Sequence, residues 1–295
     1  MKELIGVIGC GNMGGRLVKR FISFDHTVYF YDINPKTVEE MKKAGAIHCA
    51  SIEELVKNSQ FVVTSLPDGK VLEAALFDQG LLDMLKTDKV LVDTSTTLPR
   101  TMDRVSEYIK DKGTQVLDCP ISGGPNEITN GNIVSIVAGK KELFDRCKFI
   151  TDMLGKEQHY MGEKLGAAKA AKLVNNSMSL CNAAAGAEAF TMGVKFGADP
   201  VGLYNMLMVG GGRSNQFTKR FRYVLDKDYT ARGSTAIGEK DVALAVEFGE
   251  SVGCEMKIAK LARSYYQKAI EAGYANEDFA SVFKIFDPDW EKHIK

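Results

Sequence analysis

The chain has 295 residues, and its 38 basic side chains balance 38 acidic ones. This balance favours neither nucleic acid nor an anionic membrane surface as a partner, and no apolar run has the length of a transmembrane helix. The length suits one large or two ordinary domains with buried cores. Six cysteines without C-x-x-C spacing are typical of reduced thiols in a cytoplasmic protein, and we expect neither a signal peptide nor a metal site.

The amino terminus carries a glycine-rich turn directly after an apolar strand pattern. Residues 4–8 are followed by Gly9, Gly11 and Gly14 at G-x-G-x-x-G spacing. Gly9 allows a tight turn, Gly11 lets the backbone approach a pyrophosphate, and Gly14 lets the next helix pack against the strand. The phosphates would lie at the amino terminus of that helix, where free N–H groups and the helix dipole favour negative charge. The pattern therefore predicts a dinucleotide-binding turn.

A second predicted strand, residues 27–31, ends at Asp32, eighteen residues after Gly14. A carboxylate at this position is placed to accept hydrogen bonds from both hydroxyls of an adenosine ribose. It would also repel the additional phosphate of NADP, so Asp32 favours NAD, with NADP the less expected cofactor. Asp32 can also begin a turn with Asn34 and Pro35, and the two roles are compatible.

Strand and helix patterns alternate as far as about Tyr160, which is typical of a doubly wound, largely parallel α/β sheet. An alanine-rich segment then predicts one long helix at 166–196, and Asp199-Pro200 predicts the start of the next. We therefore predict a Rossmann-type dinucleotide-binding domain at residues 1–162 and an all-helical substrate and dimerisation domain at residues 163–295. The other predicted elements are a helix at 36–44 and strands at 61–66, 90–92, 115–117 and 133–137.

Ligands of open α/β sheets bind beyond the carboxyl ends of the strands, so the loops there are candidate site segments. Leu66 and Pro67 follow one predicted strand, and residues 93–96 follow the next. These residues either contact a nicotinamide or only end a strand and cap a helix. The spacing leaves both interpretations open.

A third loop combines a serine hydroxyl with two glycines. Ser122, Gly123 and Gly124 can present backbone N–H groups as a small nest for a carboxylate. An ordinary glycine turn is the alternative.

Lys172 and Asn176 are four residues apart near the start of the predicted long helix, so they share one face. From the sequence alone a solvated surface lysine is favoured, because most lysines are exposed. The neighbouring residues are small and apolar, as in a buried helix, and a partly buried lysine can exchange a proton near neutral pH. Lys169, one turn earlier, is the rival candidate, but no asparagine lies four residues beyond it.

Together these segments resemble the β-hydroxyacid dehydrogenase family, which includes 3-hydroxyisobutyrate dehydrogenase and tartronate semialdehyde reductase. The resemblance spans nearly the whole chain. It rests on four segments in the expected order, which are residues 6–14, residues 118–124 with Gly131 beyond them, residues 172–176 and residues 240–245. It implies hydride transfer between a nicotinamide cofactor and a small anionic hydroxy acid or semialdehyde, by a homodimer or homotetramer.

The resemblance also implies roles for individual residues. Lys172 would be the general acid/base, and Asn176 would orient the reacting group. Ser122, Gly123 and Gly124 would bind the substrate carboxylate. The implied cofactor-binding residues are Gly9, Gly11, Asn12, Met13, Gly14, Asp32, Leu66, Pro67, Thr96 and Lys240.

Two features depart from the family pattern. Ala168 stands where many members have a glycine, and the loop at residues 162–166 is spaced differently. A third feature, the glycine run at residues 209–214, is a flexible link between helices in the simplest interpretation. In the alternative, its Arg213 binds a second anionic group of the substrate, because a guanidinium pairs with carboxylates, phosphates or sulfonates.

Other functions are open alternatives. Imine reductases share this architecture but usually lack the catalytic lysine, and phosphogluconate dehydrogenases are much longer and use NADP. A noncatalytic cofactor sensor on the same fold would lose either Lys172 or the segment 122–124, and both are present.

Overall fold

The structure is a computed structural model that describes residues 2–293. The chain divides into two compact units, Met1–Lys172 and Leu173–Lys295. Among the described residues, no helix is both long and apolar enough to cross a membrane.

The division between the units lies inside one long helix rather than in the preceding loop. Our predicted boundary at Gly162 is ten residues earlier than the last residue of the first unit, Lys172. The difference arises because the start of the helix packs on the first unit, where Ala168 contacts Ile136 and Ala138.

The first unit contains a sheet of six parallel strands in the order β3-β2-β1-β4-β5-β6. The direction of this order reverses between β1 and β4, and open α/β sheets bind their ligands at such a switch point. The predicted α/β class is confirmed. The strands are β1 (Leu4–Ile8), β2 (Thr27–Tyr31), β3 (Ile47–His48), β4 (Phe61–Thr64), β5 (Val90–Asp93) and β6 (Gln115–Asp118).

Helices connect these strands, and the helix predicted at 36–44 is confirmed as α2. It begins one residue earlier, at Pro35, because the Asn34 side chain accepts a hydrogen bond from the Lys36 N–H and caps it. The helices of the first unit are α1 (Gly14–Ser23), α2 (Pro35–Lys43), α3 (Ile52–Asn58), α4 (Gly69–Glu73), α5 (Leu81–Met84), α6 (Pro99–Ile109), α7 (Pro125–Asn130) and α8 (Lys141–Leu154), with a π-helical turn at Ala74–Asp78 after α4.

Side chains of the central strands alternate between two cores, one on each face of the sheet. Ile5 and Val7 of β1 pack in one core with Phe21 of α1, whereas Ile8 packs in the other core with Leu55 of α3. A strand that is buried on both faces needs apolar side chains at successive positions. This requirement explains why the strand signals in the sequence are apolar runs rather than alternating patterns.

A second sheet contains β7 (Ile121–Ser122), β8 (Val134–Val137) and β9 (Glu157–Tyr160) in that order. Strands β7 and β8 are antiparallel, whereas β8 and β9 are parallel. The strand predicted at residues 133–137 is therefore present, but it lies outside the parallel sheet. An apolar run predicts a strand and not its partner, and here the chain turns back on itself, so that Asp118 forms an antiparallel bridge with Ala138.

The second unit is helical, as predicted, and its described residues form no strand. Asp199 accepts a hydrogen bond from the Gly202 N–H at 2.6 Å, and Pro200 is the first residue of α10, so the predicted helix start is confirmed. The helices are α9 (Ala167–Phe196), which begins in the first unit, α10 (Pro200–Leu207), α11 (Asn215–Leu225), α12 (Thr235–Ser251), α13 (Lys257–Ala269) and α14 (Phe283–Phe286), with a π-helical turn at Ile270–Tyr274 and 3₁₀ turns at Phe279–Val282 and Trp290–Lys292.

Aromatic rings form much of the core of the second unit. The Phe190 ring of α9 lies 5.7–6.0 Å, between centroids, from the rings of Phe217, Phe221, Phe283 and Trp290. Such pairs bury large apolar areas in defined geometries. Phe190 thereby anchors α9 within the second unit.

Candidate active site

The glycine-rich turn between β1 and α1 has no room for side chains at two of its three glycines. A Cβ at Gly14 would lie 1.9 Å from the Gly9 carbonyl oxygen, and a Cβ at Gly9 would lie 2.6 Å from the Ser65 carbonyl oxygen. Gly9 also has a φ of +84°, which favours glycine. A Cβ at Gly11 would meet no atom within 4 Å. The turn thus combines close packing with one open face, as a bound pyrophosphate requires.

Asp32 makes two hydrogen bonds that shape this turn. Its Oδ2 accepts from the Cys10 N–H at 2.6 Å, and its Oδ1 accepts from the Asn34 N–H at 2.8 Å. The second bond confirms the predicted turn at the end of β2. A carboxylate oxygen has more than one lone pair, so both oxygens can still accept from a ribose hydroxyl.

The carboxyl ends of β4, β5 and β6 lie side by side, with Thr64, Asp93 and Asp118 as register partners. All three residues are fully buried. The Thr64 hydroxyl donates to Asp93 Oδ1 at 2.7 Å. Three loops leave this edge, and they are the loops that the sequence identifies as candidate site segments, residues 65–67, 94–96 and 119–124.

Two of these loops are joined by hydrogen bonds. The Leu66 N–H donates to Ser95 Oγ at 3.0 Å, and the Ser95 N–H donates to Asp93 Oδ1 at 3.2 Å. Helix α6 begins at Pro99 without a side-chain cap, so the interpretation of residues 93–96 as a helix cap is wrong. Their hydrogen bonds instead fix the loop that carries Thr96 to the loop that carries Leu66.

The structure differs at one position from the carboxylate nest predicted at Ser122, Gly123 and Gly124. Ser122 ends β7, and Gly123 has a φ of +137°. The Gly124 N–H, however, donates to Glu127 Oε2 at 3.0 Å, because the third residue of a helix can reach back to the free N–H before it. An internal carboxylate therefore occupies the Gly124 amide, which was predicted to be available to a substrate.

Lys169, the rival candidate for catalysis, lies between two buried carboxylates. Its Nζ donates to Asp93 Oδ2 at 2.6 Å and to the Ser95 carbonyl oxygen at 2.9 Å. Asp118 Oδ1 lies 3.2 Å from the same Nζ, without hydrogen-bond geometry, so that attraction is electrostatic. The side chains of Lys169, Asp93 and Asp118 are all inaccessible to solvent.

Charge and burial act in opposite directions on this cluster. Burial alone would lower the pKa of the Lys169 ammonium, but its attraction to Asp118 and Asp93 outweighs burial, and the pKa is raised. Burial raises the pKa of Asp118, which the attraction to Lys169 offsets only in part. An ammonium that is held protonated is a poor base, so the structure argues against Lys169 as the proton-transfer group.

Lys172 occupies the next turn of α9 and is also buried, with 8% of its surface exposed. The solvated surface lysine that the sequence favours is therefore wrong. The backbone of this helix start is held by Asp118, whose Oδ2 accepts from the N–H groups of Gly166 at 3.0 Å and Lys169 at 3.3 Å. A carboxylate is stabilised at the amino terminus of a helix.

In the second unit, Asn176 and Lys240 share one acidic partner. The Asn176 amide Nδ2 donates to Asp241 Oδ2 at 2.9 Å, and Lys240 Nζ lies 3.3 Å from Asp241 Oδ1. Sequence reasoning missed Asp241 as a residue that organises this group. The only signal for it was its place directly after Lys240 in the segment 240–245.

The predicted site residues thus form two groups. Within the first unit, the glycine turn, Asp32 and the three loops lie at the carboxyl ends of the parallel strands, and Lys172 lies one helical turn beyond Lys169, which contacts Asp93 and Ser95 there. Within the second unit, the structure brings together Asn176 and Lys240, whereas Arg213 lies exposed in the separate link between α10 and α11. Residues 2–293 contain no cluster of histidine, cysteine and acidic side chains that could hold a metal ion.

Two family models match most of the chain. Residues 4–162 match the NAD binding domain of 6-phosphogluconate dehydrogenase. Residues 166–286 match the model described as NAD-binding of NADP-dependent 3-hydroxyisobutyrate dehydrogenase.

Individual proteins show similarity over the same length. L-threonate dehydrogenase of Cupriavidus necator is 26% identical to this chain, and the match covers 97% of each of the two chains. 2-(Hydroxymethyl)glutarate dehydrogenase of Eubacterium barkeri is 27% identical over 96% of this chain and 94% of its own. The structure of Mycobacterium tuberculosis 3-hydroxyisobutyrate dehydrogenase with L-serine has a TM-score of 0.90 at 24% identity, over 97% of this chain and 100% of that chain, and shows the same fold.

Gly14→Ala tests whether the glycine turn binds the cofactor. The new Cβ would approach the Gly9 carbonyl oxygen to 1.9 Å, so the turn must shift, and we expect the affinity for NADH to fall about tenfold or more. Titration of NADH fluorescence measures this affinity without a substrate. Gly69→Ala is the matched control, because its Cβ would have no neighbour closer than 3.9 Å. Unchanged affinity in Gly14→Ala would contradict the assignment.

Proposed function

Because the chain belongs to the β-hydroxyacid dehydrogenase family, we propose that it transfers hydride between a nicotinamide dinucleotide and a small β-hydroxy acid or its semialdehyde. The observation that carries this proposal is a buried lysine, Lys172, on a helix whose first turn is bonded to the carboxyl edge of the dinucleotide-type sheet. Function follows from such a site rather than from the fold.

The glycine turn fits a dinucleotide, because the space beside Gly11 is open and α1 begins at Gly14. A bound nicotinamide would supply or accept the hydride. The chain's own task is then to hold the substrate carbon in place and to manage the proton on its oxygen. Leu66, Pro67 and Thr96, on two loops that hydrogen-bond to each other, are the proposed border of the nicotinamide.

Lys172 is the proposed general acid/base. In the direction of reduction, its protonated Nζ would donate a proton to the carbonyl oxygen and stabilise the negative charge that develops there. In the direction of oxidation, the neutral amine would accept the hydroxyl proton. Lys169, which is one turn away but held between Asp93 and Asp118, is not available for this role.

The substrate carboxylate is the proposed ligand of Ser122 and Gly123. The Gly124 amide joins them only if the Glu127 carboxylate leaves it. Asn176, Arg213 and Lys240 belong to the second unit, and their proposed roles in orienting the substrate, selecting a second anionic group and contacting the cofactor stay predictions.

Two alternatives have less support. An imine reductase on this fold usually lacks the catalytic lysine. A noncatalytic sensor would have no need for the buried side chain of Lys172. Both alternatives still predict cofactor binding, so turnover with hydroxy acids separates them from the dehydrogenase.

Lys172→Met tests the acid/base assignment. Its expected result is a loss in kcat of about 10²–10⁴-fold, the usual contribution of a general acid/base, with NADH affinity unchanged. The wild type and the variant are assayed with NAD and NADP against 3-hydroxyisobutyrate, L-threonate, 2-(hydroxymethyl)glutarate, a sulfonated hydroxy acid and a cyclic imine with reduced cofactor.

Lys164→Met is the matched control, because its side chain is 82% exposed, and we expect it to retain full activity. Near-normal turnover by Lys172→Met would remove this lysine from its role. Turnover of only the imine would favour a reductase of that class.

We also propose NAD, rather than NADP, as the preferred cofactor. Asp32 places a carboxylate at the end of β2, fixed by hydrogen bonds from Cys10 and Asn34. The residue after it, Ile33, is exposed and apolar. The Asp32 carboxylate would therefore repel the additional phosphate of NADP, and Ile33 supplies no positive charge to bind that phosphate.

Asp32→Asn should weaken this preference. The amide loses the charge and keeps only one of the two oxygens that accept from Cys10 and Asn34, and a hydrogen bond to a charged group contributes about 1.5–3 kcal/mol. We expect kcat/KM with NAD to fall about 10–100-fold and the ratio of NADP to NAD activity to rise. Asp78→Asn, an exposed aspartate elsewhere on the first unit, is the control. An unchanged ratio would contradict the assignment.

Self-association is the third part of the proposal. Val174, Met178, Met192 and Phe196 follow one narrow face of α9, and their side chains are exposed, with Ala185 and Ala189 on the same face between them. This spacing of three and four residues is typical of helices that pack on another helix. An exposed apolar face of this kind usually marks an interface, and we propose a second copy of the chain as its occupant, in a dimer or tetramer.

The variant Met178→Lys/Met192→Lys tests this face. Two ammonium groups within an apolar interface oppose association, so we expect the mass from light scattering to fall from that of an oligomer to about that of one chain. Val71→Lys, which changes an exposed apolar residue of the first unit, should leave the mass unchanged. A monomeric wild type, or a double variant with wild-type mass, would contradict the proposed face.

For localisation, the proposal is the cytoplasm. All six cysteines are unpaired thiols, and a reducing compartment preserves them.

A further inference from the structure

Three charged side chains meet at the carboxyl edge of the parallel sheet, away from solvent. Asp93 and Asp118 end neighbouring strands in register, and Lys169 lies between them with contacts of 2.6 Å and 3.2 Å. None of the three side chains has accessible surface. The cluster therefore has no function that requires contact with solvent.

Stability alone does not account for such a cluster. Removing charges from water is unfavourable, and well-packed apolar residues often replace a buried ion pair without loss of stability. What buried charged pairs can contribute is a single defined arrangement of the elements that carry them. The elements that Lys169 can hold in a defined arrangement are those that it contacts.

The hydrogen bonds of Lys169 connect the start of α9 to the carboxyl edge of the sheet. Its Nζ donates to Asp93 and to the Ser95 carbonyl oxygen, and Ser95 Oγ in turn accepts from the Leu66 N–H. Its backbone N–H donates to Asp118, the residue directly before the segment 119–124. One lysine thus joins the start of α9 to all three loops of the candidate site.

Lys172 lies one turn further along the same helix. Residues three apart on a helix have a fixed relation to each other, so the position of Lys172 follows the position of Lys169. The loops that Lys169 binds are those proposed to hold the nicotinamide and the substrate carboxylate.

We propose that Lys169 is a positioning residue that, through its buried contacts with Asp93, Asp118 and Ser95, holds the Lys172 ammonium in register with the nicotinamide and substrate loops. This inference rests on the proposed function of Lys172. It assigns no proton transfer to Lys169, whose ammonium lies between the carboxylates of Asp93 and Asp118.

The test compares Lys169→Met with the double variant Lys169→Met/Asp118→Asn. The single variant leaves two buried carboxylates without a cation, whereas the double variant removes one positive and one negative charge and keeps their sum. Assays use NAD and whichever of 3-hydroxyisobutyrate, L-threonate or 2-(hydroxymethyl)glutarate the wild type turns over fastest. In the double variant we expect kcat to fall about 10²-fold, as a displacement of about 1 Å at a catalytic group can cause, with KM and NADH affinity within threefold.

Hydrogen exchange supplies a readout that needs no substrate. The amides of residues 166–172 should exchange faster in the double variant than in Asp118→Asn alone, the reference needed because Asp118 itself accepts from the Gly166 and Lys169 N–H groups, while those of β1 and α1 keep wild-type protection. Lys172→Met is the matched comparison, since it should lower kcat by about 10²–10⁴-fold without changing exchange at residues 166–172. Lys164→Met should change neither quantity.

Each outcome is decisive. A folded double variant with wild-type kcat, or with exchange at residues 166–172 no faster than in Asp118→Asn, overturns the positioning role. If neither Lys169 variant folds while Lys164→Met and Lys172→Met do, Lys169 is needed for folding and the positioning role is also overturned. If Lys172→Met itself keeps its turnover, the proposed function fails instead, and hydrogen exchange in the Lys169 variants still reports on the contacts of the helix start.

Discussion

Two carboxylates buried at the ends of adjacent strands repel each other, and a cation between them removes that repulsion. Asp93 and Asp118 form such a pair, and the Lys169 ammonium is that cation. Removing one member of a buried ion pair typically destabilises a protein by about 3–5 kcal/mol. Hydrogen bonds connect this ion-pair cluster to the start of α9, to the edge of the sheet and to the candidate site loops.

Local features of the sequence predicted two turns at the carboxyl ends of β1 and β2. The turn at Gly9, Gly11 and Gly14 and the turn at Asp32 each depend on residues close together in the chain, so spacing alone describes them. The parallel strands were equally visible, because burial on both faces requires apolar runs. The start of α10 was recognisable from Asp199-Pro200, a signal within two residues.

Contacts between distant residues could not be predicted in this way. Lys169 is 76 residues from Asp93 and 51 from Asp118, and nothing near it in the sequence indicates an acidic partner. The same limit explains why β8 was recognised as a strand but placed in the wrong sheet. It also explains why the Gly124 amide was predicted to be available to a substrate. Glu127 is only three residues away, but the sequence does not show that its side chain points back to that amide.

The ion-pair cluster also has a consequence for how this protein can change over evolutionary time. A substitution at Lys169 that removes the positive charge leaves two acids in the interior without a cation, so it destabilises the protein unless Asp93 or Asp118 also changes or is protonated. The effect of a substitution at any one of these three positions therefore depends on the residues present at the other two.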